Sequence, residues 1–513
     1  MSPLSHKPRR SSRIAPNDDE SGSFFSPTPK SEPHTSVSDL DLYNLSIKTS
    51  GQKKVTYIPP WTEPYVIGVA GFSGSGKTSI SQRIILELNQ PWTVLLSFDN
   101  FYNPLTPEQS KQAFANNFDF DTPDAMDIDM VVEKLTSLKQ GKKTEIPVYS
   151  FAQHTRTDKT ITIYGANVII IEGIYALYDK RLLDLMDVKI FVDTDLDVCL
   201  ARRLTRDILY RGRDLEGALR QWETFVKPNA VASVTPTMQN ADLVIPRGLE
   251  NTTAIELMIK HIQKQLALKS SLHLRRLKSL GLGSKFPLLA FSNLKVLPTT
   301  NHTAGIHSIL FSQSTDRTDF IFYFDRIANL LLELALEQLT VFAPKVVKCH
   351  GNYEFKGVEQ TQDIVAVSII RSGDCFMTSI RKTFPAIPIG KLLIQSDSLT
   401  GEPQLHAESL PSTVSGAQYF LFDAQIISGA GAIMAIQVLV DHGINLKDVT
   451  LITYLLTEIG VRRIFHVFPE VKIIVGKLSN VEESESKYNS EKFHDTDWLF
   501  RTRFIDSLYF GTD

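Results

Sequence analysis

Hydrophobic and polar positions divide the chain into a polar beginning and a patterned remainder. Residues 1–55 are rich in Ser, Pro, Lys and Asp and show no sustained hydrophobic period. Such a segment cannot bury enough apolar surface to fold, so we expect a disordered tail. From residue 65 onwards, short apolar runs alternate with segments of helical periodicity. This alternation predicts an α/β protein.

Four apolar runs in the first patterned region predict buried strands, at residues 65–70, 93–97, 168–171 and 188–192. Residues 79–89 follow the first run and have the hydrophobic spacing of a helix. Strands that are apolar throughout and alternate with helices are typical of a parallel sheet covered on both faces. We therefore predict such a sheet for this region.

A change of pattern after residue 280 separates two folded regions. Residues 255–280 have the period of an amphipathic helix, which we expect to close a first domain at 56–280. Gly, Pro, Ser and Asn without a clear period then predict a linker at 281–302, followed by a second α/β domain at 303–513. In the second domain the pattern predicts a helix and three strands, at residues 322–339, 365–370, 390–395 and 419–422.

Composition supports a globular protein and excludes several classes. Of the 513 residues 42% are hydrophobic and 22% charged, and the formal net charge of -3 gives no overall basic field for nucleic acid. No apolar run approaches the roughly 18 residues of a membrane span, and the amino terminus lacks a signal-peptide core. Cys199, Cys349 and Cys375 are too far apart to predict disulfides or a zinc cluster. We expect a cytoplasmic protein with no membrane or nucleic-acid partner.

Short motifs in the tail leave two interpretations open. Lys7-Pro-Arg-Arg10, followed by Arg13, could be a nuclear address or a contact for an anionic surface, and Ser26-Pro and Thr28-Pro could be phosphorylated. Such patterns also occur in solvated tails that do neither. A nuclear location in addition to the cytoplasmic one is therefore an alternative.

A phosphate-binding motif follows the first predicted strand. Gly71-Phe-Ser-Gly-Ser-Gly76-Lys77-Thr78 fits the Walker A pattern between a strand and a helix. Its glycines let backbone N–H groups converge on phosphate oxygens, Lys77 can neutralise the β- and γ-phosphates, and Thr78 can bind Mg²⁺. The predicted nucleotide-binding residues of this loop are Gly71, Ser73, Gly74, Ser75, Gly76, Lys77, Thr78 and Ser79.

Two acids stand at the ends of predicted strands. Asp99 follows the strand at 93–97, where catalytic groups gather in parallel sheets, and could act as a base. Glu172 follows the most apolar strand and could bind a metal ion or a water of its shell. Each acid alone could equally be a strand-end cap or a salt-bridge partner. Together with the Walker loop they favour catalysis.

An arginine-rich segment around Gly212 adds a candidate lid. Guanidinium groups on a flexible segment can close over phosphates and exclude water. The alternative is a solvated helix whose arginines pair with Asp207 and Asp214. The arginines are Arg202, Arg203, Arg206, Arg211 and Arg213, and the amide of Gln221 follows them.

Residues 65–268 closely resemble the uridine-cytidine kinase family. Besides the Walker loop, six segments carry the resemblance in the family's order and spacing. They are Asp99-Asn-Phe-Tyr102, Phe118-Asp-Phe-Asp121-Thr-Pro-Asp124, Ile146-Pro-Val-Tyr149-Ser-Phe151, Ile171-Glu-Gly173, Arg211-Gly-Arg213-Asp214 and Thr224-Phe-Val-Lys-Pro228. The chain departs from the family at Thr122, where His is frequent, and at Ser150, where Asp is frequent.

This resemblance implies ATP-dependent phosphorylation of uridine and cytidine at the 5′-hydroxyl, with Mg²⁺ as cofactor and a homo-oligomeric state. It implies that Asp99 activates the hydroxyl and that Thr78 and Glu172 hold or order Mg²⁺. Lys77 and Arg206 would be catalytic with Asp99, and Arg206 would bind the ATP phosphates beside Arg211. The implied nucleoside site comprises Asp99, Tyr102, Phe120, Asp121, Tyr149, Phe151, His154, Arg203, Arg213 and Gln221, with Asp121 on the ribose hydroxyls and the aromatic residues around the base.

The second domain resembles uracil phosphoribosyltransferases of the kind fused behind a kinase domain. The resemblance implies that acids before a small-residue loop hold the ribose of phosphoribosyl pyrophosphate, and that the loop binds its 5′-phosphate. Ser428 to Ala432 could still do so. The segments that carry the resemblance are Val367-Ser-Ile-Ile-Arg371-Ser372-Gly373, Ile389-Gly-Lys-Leu-Leu-Ile-Gln395-Ser-Asp397, Asp423 with Ile427-Ser428-Gly429-Ala430-Gly431-Ala432, and Tyr509-Phe-Gly511-Thr-Asp513.

The uracil side of this second site departs from that family. The family closes over the base with a glycine- and proline-rich hood, whereas this chain has no Pro-Gly turn between Trp498 and Tyr509. We therefore expect a phosphoribosyltransferase-type fold that is not catalytic, behind a P-loop kinase domain with a parallel sheet. The alternatives are a bifunctional kinase and uracil phosphoribosyltransferase, and an assembly protein that only senses ATP.

Overall fold

The computed structural model describes residues 57–512 with several gaps. The predicted tail at 1–55, with its short motifs, lies outside the described residues, as does the first part of the predicted linker. The gaps are residues 89, 91, 116, 152, 212–213, 281–290, 340–341, 352, 397–401, 413–415 and 480–502.

The first half is built on a sheet of five parallel strands in the order β2-β5-β1-β6-β7. The four apolar runs of the sequence form four of these strands, and the pairing is parallel throughout. A separate antiparallel hairpin, β3–β4, was not expected from the pattern. The strands of this half are β1 Tyr65–Gly71, β2 Thr93–Ser97, β3 Thr144–Ser150, β4 Thr155–Ile163, β5 Val168–Glu172, β6 Val188–Asp193 and β7 Leu243–Pro246.

Helices cover both faces of this sheet. On one face the closing helix Thr252–Ser279 buries Ile255, Ile259 and Ile262, whose spacing of three and four residues makes a continuous apolar stripe. The α-helices are Lys77–Leu88, Pro107–Phe114, Ile128–Lys139, Lys180–Leu183, Leu196–Arg211, Leu215–Gln221, Lys227–Asn229 and Thr252–Ser279. Shorter 3₁₀ turns are Pro60–Thr62, Phe98–Phe101, Pro123–Ala125, Thr235–Asn240 and Gly248–Glu250, and π-helical turns are Trp222–Val226 and Ala230–Val234.

The second half contains a larger sheet in the order β13-β12-β11-β14-β16-β17-β8, with β15 paired to β16. Its pairs are parallel except for β12–β13, which is antiparallel. Strand β8 lies within the predicted linker but belongs to this sheet, because it pairs with β17. The strands are β8 Leu294–Val296, β9 Phe342–Lys348, β10 Glu354–Gln360, β11 Ile364–Ile370, β12 Ile389–Ser396, β13 Pro403–Ser409, β14 Gln418–Phe422, β15 Gln425–Ile426, β16 Val449–Thr457 and β17 Lys472–Ser479.

Two apolar clusters sandwich the larger sheet, and helices supply their outer layers. The helix predicted at 322–339 spans Arg317–Glu337 and begins at Asp316, whose carboxylate accepts a hydrogen bond from the Asp319 N–H at 2.8 Å. The exposed hairpin β9–β10 stands apart from the sheet. The α-helices are Asn301–Phe311, Arg317–Glu337, Met377–Thr383, Ala430–Asp441, Glu458–Val467 and Ile505–Phe510, with 3₁₀ turns Ser372–Phe376 and Leu446–Asp448. In the described part of the chain, no helix combines the length and apolar character needed to cross a membrane.

The described residues of both halves belong to one compact unit and share an apolar cluster. At its edge the Trp61 Nε1–H and the Tyr164 hydroxyl donate to Asp441 Oδ2, at 3.0 and 2.7 Å. Asp441 is the last residue of the second-half helix Ala430–Asp441. Deeper in the interface, buried His273 contacts the Tyr57 hydroxyl and the Glu402 carboxylate. Polar and apolar contacts therefore join the two halves.

Candidate active site

The Walker loop connects β1 to the helix Lys77–Leu88, as the sequence predicts. Its sharp turn needs glycine, because Gly74 has φ +90° and a Cβ there would lie 2.5 Å from the carbonyl oxygen of Cys199. The buried Lys77 ammonium donates to the carbonyl oxygen of Phe72 at 2.9 Å. Burial lowers the pKa of Lys77, although Glu172 and Asp99 oppose this effect. The loop thus holds a cation beside two carboxylates.

Glu172 is positioned by the pairing of β2 with β5. In this parallel register Ser97 lies opposite Glu172, and the Ser97 hydroxyl donates to Glu172 Oε1 at 3.1 Å. The Thr78 hydroxyl donates to the same oxygen at 3.2 Å. Burial raises the pKa of Glu172, while Lys77 and both hydroxyl donors favour its charged form. The two predicted metal ligands, Thr78 and Glu172, are therefore in direct contact.

Asp99 lies in the 3₁₀ turn Phe98–Phe101, immediately after β2. The Ser97 hydroxyl accepts a hydrogen bond from the Asp99 N–H at 3.4 Å and caps this turn. The hairpin β3–β4 is fastened to the turn, because Arg156 Nη2 of β4 donates to the carbonyl oxygen of Phe101 at 3.3 Å and to Asp127 Oδ2 at 3.0 Å. The turn that carries the candidate base Asp99 is therefore also the anchor of the hairpin.

Aromatic side chains form one wall of the site. The rings of Phe120 and His154 are stacked, with centroids 5.1 Å apart and an interplanar angle of 21°. Tyr149 contacts Tyr102 and Phe151, at centroid distances of 5.0 and 5.4 Å. Burial, together with Asp99, raises the pKa of Tyr149 to about 12, so its hydroxyl is neutral at pH 7. This wall offers flat apolar faces with polar edges.

Arg203 connects the phosphate loop to the carboxylate predicted to bind ribose. Its Nη1 donates to the Ser73 hydroxyl at 2.9 Å and to Asp121 Oδ1 at 3.3 Å. Burial opposes the charge of Arg203, but Asp121 and Asp207 outweigh this and hold its pKa above the ordinary value. The Tyr175 hydroxyl donates a hydrogen bond to the backbone oxygen of Asp121 and thus also fixes the position of Asp121.

One cavity brings most of the predicted site residues together. Of the other predicted residues, Gly71, Gly74, Ser75, Gly76 and Ser79 belong to the loop and the first helical turn without lining the cavity. The Arg211 side chain and all of Arg213 lie outside the described residues. The lining consists of Ser73, Lys77, Thr78, Asp99, Tyr102, Phe118, Phe120, Asp121, Tyr149, Phe151, His154, Glu172, Gly173, Ile174, Arg203, Arg206, Gln221 and Phe225.

Several residues of the site have no predicted role in the sequence. Phe118, Ile174 and Phe225 line the cavity, and Ser97 contacts Glu172. Phe118 and Phe225 belong to segments that carry the family resemblance, and this resemblance could have identified them. Nothing in the sequence could have identified Arg156, because its contacts depend on how the hairpin β3–β4 docks.

In the second half, residues that carry the transferase resemblance lie close to the carboxyl-terminal segment. Asp423 follows β14 and is buried, and Gly429, with φ +78°, begins the helix Ala430–Asp441. The carboxyl-terminal segment contributes Arg503, whose Nη2 lies 3.9 Å from Asp423 Oδ2. Asp506 in the same segment pairs with Arg371 at 2.9 Å. Residues 499–502, at the start of the segment that replaces the family's hood, lie outside the described residues.

The fold and the first site define a P-loop kinase whose phosphate loop shares one cavity with carboxylates and an aromatic wall. Residues 66–254 match the model of the Phosphoribulokinase / Uridine kinase family, and residues 297–496 match that of Uracil phosphoribosyltransferase. A protein of Saccharomyces cerevisiae named Uridine kinase is 50% identical over 509 residues, which cover 98% of this chain and 100% of that protein. The chain belongs to the uridine kinase family and carries a uracil phosphoribosyltransferase-type domain behind its kinase domain.

Two other relatives match more than four fifths of this chain. A Uridine kinase of Schizosaccharomyces pombe is 40% identical, over 83% of this chain and 94% of that protein. Uridine-cytidine kinase-like 1 of Mus musculus is 42% identical, over 81% of this chain and 77% of that protein. These matches confirm the predicted fold class and the predicted family.

Proposed function

We propose that the chain transfers the γ-phosphoryl group of ATP to the 5′-hydroxyl of uridine and cytidine, as a pyrimidine salvage enzyme. The observation that carries this proposal is the shared cavity, in which the phosphate-loop residues Lys77 and Thr78 and the acids Asp99 and Asp121 line one space with the aromatic wall. A protein that only bound a nucleotide would not need the acids and the aromatic wall beside the phosphate loop. The relatives' names agree with a pyrimidine nucleoside as the acceptor.

In this mechanism the chain supplies positioning and charge. The Asp99 carboxylate accepts the proton of the 5′-hydroxyl as that oxygen attacks phosphorus, and ADP leaves. Lys77 and Arg206 stabilise the negative charge of the transferred group. Asp121 accepts hydrogen bonds from the ribose hydroxyls, and the aromatic wall packs against the pyrimidine. Holding both substrates in line contributes a large part of the rate.

We propose Mg²⁺ as the cofactor, held with ATP by Thr78 and Glu172. The residues fit the ion, because Mg²⁺ prefers hydroxyl and carboxylate oxygens and binds through few protein ligands together with phosphates. Here the Thr78 hydroxyl and Glu172 Oε1 lie 3.2 Å apart at the start of the phosphate-loop helix. When bound, the ion would neutralise phosphate charge.

We propose that the second domain does not catalyse uracil transfer. Its buried Asp423 faces Arg503 and its Arg371 pairs with Asp506, so charged groups of the chain's own carboxyl-terminal segment contact the residues that carry the transferase resemblance. The homo-oligomer implied by related kinases remains part of the proposal.

The test measures products from labelled uridine, cytidine and uracil with the full-length protein. With ATP and Mg²⁺, uridine and cytidine are expected to give their 5′-monophosphates, and uracil to remain unchanged. Binding of ATP without any nucleoside product would favour the nucleotide-sensing alternative. UMP formed from uracil and phosphoribosyl pyrophosphate would favour the bifunctional alternative.

A further inference from the structure

A buried carboxylate outside the cavity lining contacts two of the arginines that line it. Asp207 is 1% exposed and lies on the helix Leu196–Arg211. Its Oδ1 accepts a hydrogen bond from Arg206 Nε at 2.9 Å, and its Oδ2 lies 3.5 Å from Arg203 Nε. Burying an acid costs free energy unless it is paired, and these two arginines pair with Asp207.

The two arginines face different parts of the site. Arg203 Nη1 reaches Ser73 of the phosphate loop and Asp121, while Arg206 lines the cavity together with Lys77. Asp207 contacts both at Nε, so Arg203 Nη1 is left to bind Ser73 and Asp121. Because a guanidinium is a rigid planar fork, fixing Nε also fixes the direction of its Nη donors.

We propose that Asp207 is a positioning residue for the phosphoryl transfer, which sets the nucleoside-side Arg203 and the phosphate-side Arg206 in one fixed arrangement. This inference rests on the proposed function, because it assigns the two arginines to the two substrates. Asp207 itself does not line the cavity, so it acts through the arginines. A single carboxylate thereby links the binding of both substrates.

The test compares the full-length Asp207→Asn variant with wild type. Loss of the charge removes one contact that orients each guanidinium group, and a misplacement of about 1 Å in a catalytic site can cost about 10²-fold. We expect KM to rise for both uridine and ATP and kcat/KM to fall by about 10²-fold. Asp197→Asn, an exposed acid on the same helix, is the matched control and should behave as wild type.

A double-mutant cycle separates positioning from folding. If Asp207 acts through Arg206, the effect of Asp207→Asn on ATP affinity should largely disappear when Arg206 is already alanine. In an Arg203→Ala protein, the effect on the KM for uridine should shrink in the same way. Additive effects in both cycles, or wild-type KM values in folded Asp207→Asn protein, would overturn the inference.

Two further measurements keep the result decisive. Asp207→Glu retains the charge but moves it by one methylene, so it should raise both KM values with little change in melting temperature even if Asp207→Asn does not fold. ATP affinity, measured by equilibrium binding, tests the Arg206 contact whichever nucleoside is phosphorylated. Failure to phosphorylate uridine in wild type would instead refute the proposed function alone.

Discussion

At the scale of single residues, two acids of the site lie at the carboxyl ends of strands. Asp99 and Glu172 could be identified from the sequence because each follows an apolar strand, and parallel strands bring their carboxyl ends to one edge of a sheet. The contact between Ser97 and Glu172 could not be predicted in this way. It depends on β2 lying beside β5, and the order of strands is not encoded in the local pattern.

Replacing Asp99 tests the base. Asp99→Asn keeps the size of the side chain but cannot accept the proton, so kcat should fall by about 10²–10⁴-fold. ATP binding should stay within a few-fold of wild type, because the Walker loop holds the nucleotide. Steady-state kinetics and equilibrium ATP binding measure the two effects. Asp129→Asn, at an exposed acid, is the control, and near-normal turnover of Asp99→Asn would remove Asp99 from this role.

Asp121 is expected to distinguish ribose from deoxyribose. Asp121→Ala removes an acceptor from a polar pocket, so kcat/KM for uridine should fall by an amount corresponding to about 2–5 kcal/mol. The neighbouring Asp124→Ala, at an exposed side chain, should have little effect. Competition assays with 2′-deoxyuridine provide the second measurement. Equal use of uridine and 2′-deoxyuridine by wild type would show that Asp121 does not bind both hydroxyls.

At the scale of elements, the sequence predicted strands that are rich in apolar residues and missed strands that are mostly polar. The strands at 65–70 and 168–171 are buried throughout, and they were predicted close to their observed bounds. Strand β4 consists largely of Thr, Arg, Asp and Lys, and most of its residues are exposed or half-buried, so it gives no apolar run. The same holds for the exposed hairpin β9–β10. A strand held mainly by backbone pairing leaves little hydrophobic signal.

Docking of the hairpin β3–β4 should control nucleoside binding. Arg156→Ala removes the contacts to Phe101 and Asp127, while Tyr149 and His154 at the same end of the hairpin belong to the aromatic wall. We expect the KM for uridine to rise by about 10-fold, the equivalent of about 1.4 kcal/mol for a lost charged hydrogen bond, with the KM for ATP nearly unchanged. Lys159→Ala, at an exposed residue of β4, is the control. An equal rise in both KM values would instead indicate general loosening of the domain.

At the scale of the whole molecule, the two halves are joined by side chains that would be exposed to solvent if either half were present alone. Trp61 is 1% exposed and packs in a cluster made mainly of second-half residues, and buried His273 contacts Glu402 across the interface. Exposing a large aromatic side chain to water is unfavourable, and separating the halves would also break the contact between His273 and Glu402. The function of the second domain is therefore best tested in the full chain, where these contacts are kept.

The full chain is expected to form no UMP from uracil and phosphoribosyl pyrophosphate. Transfer requires both substrates in register, and the effective molarity that contributes about 7–11 kcal/mol is lost when one of them is not held. The loop at Gly429 keeps the small residues of a phosphate-binding turn. Arg503, however, approaches Asp423, and Asp506 pairs with Arg371, so the acid and the arginine already have partners within the chain. Labelled uracil, phosphoribosyl pyrophosphate and Mg²⁺, incubated without ATP, should therefore give no UMP above a blank. Steady UMP formation that is abolished by Asp423→Ala would show instead that the second domain is a working transferase, and that these ion pairs open when its substrates bind.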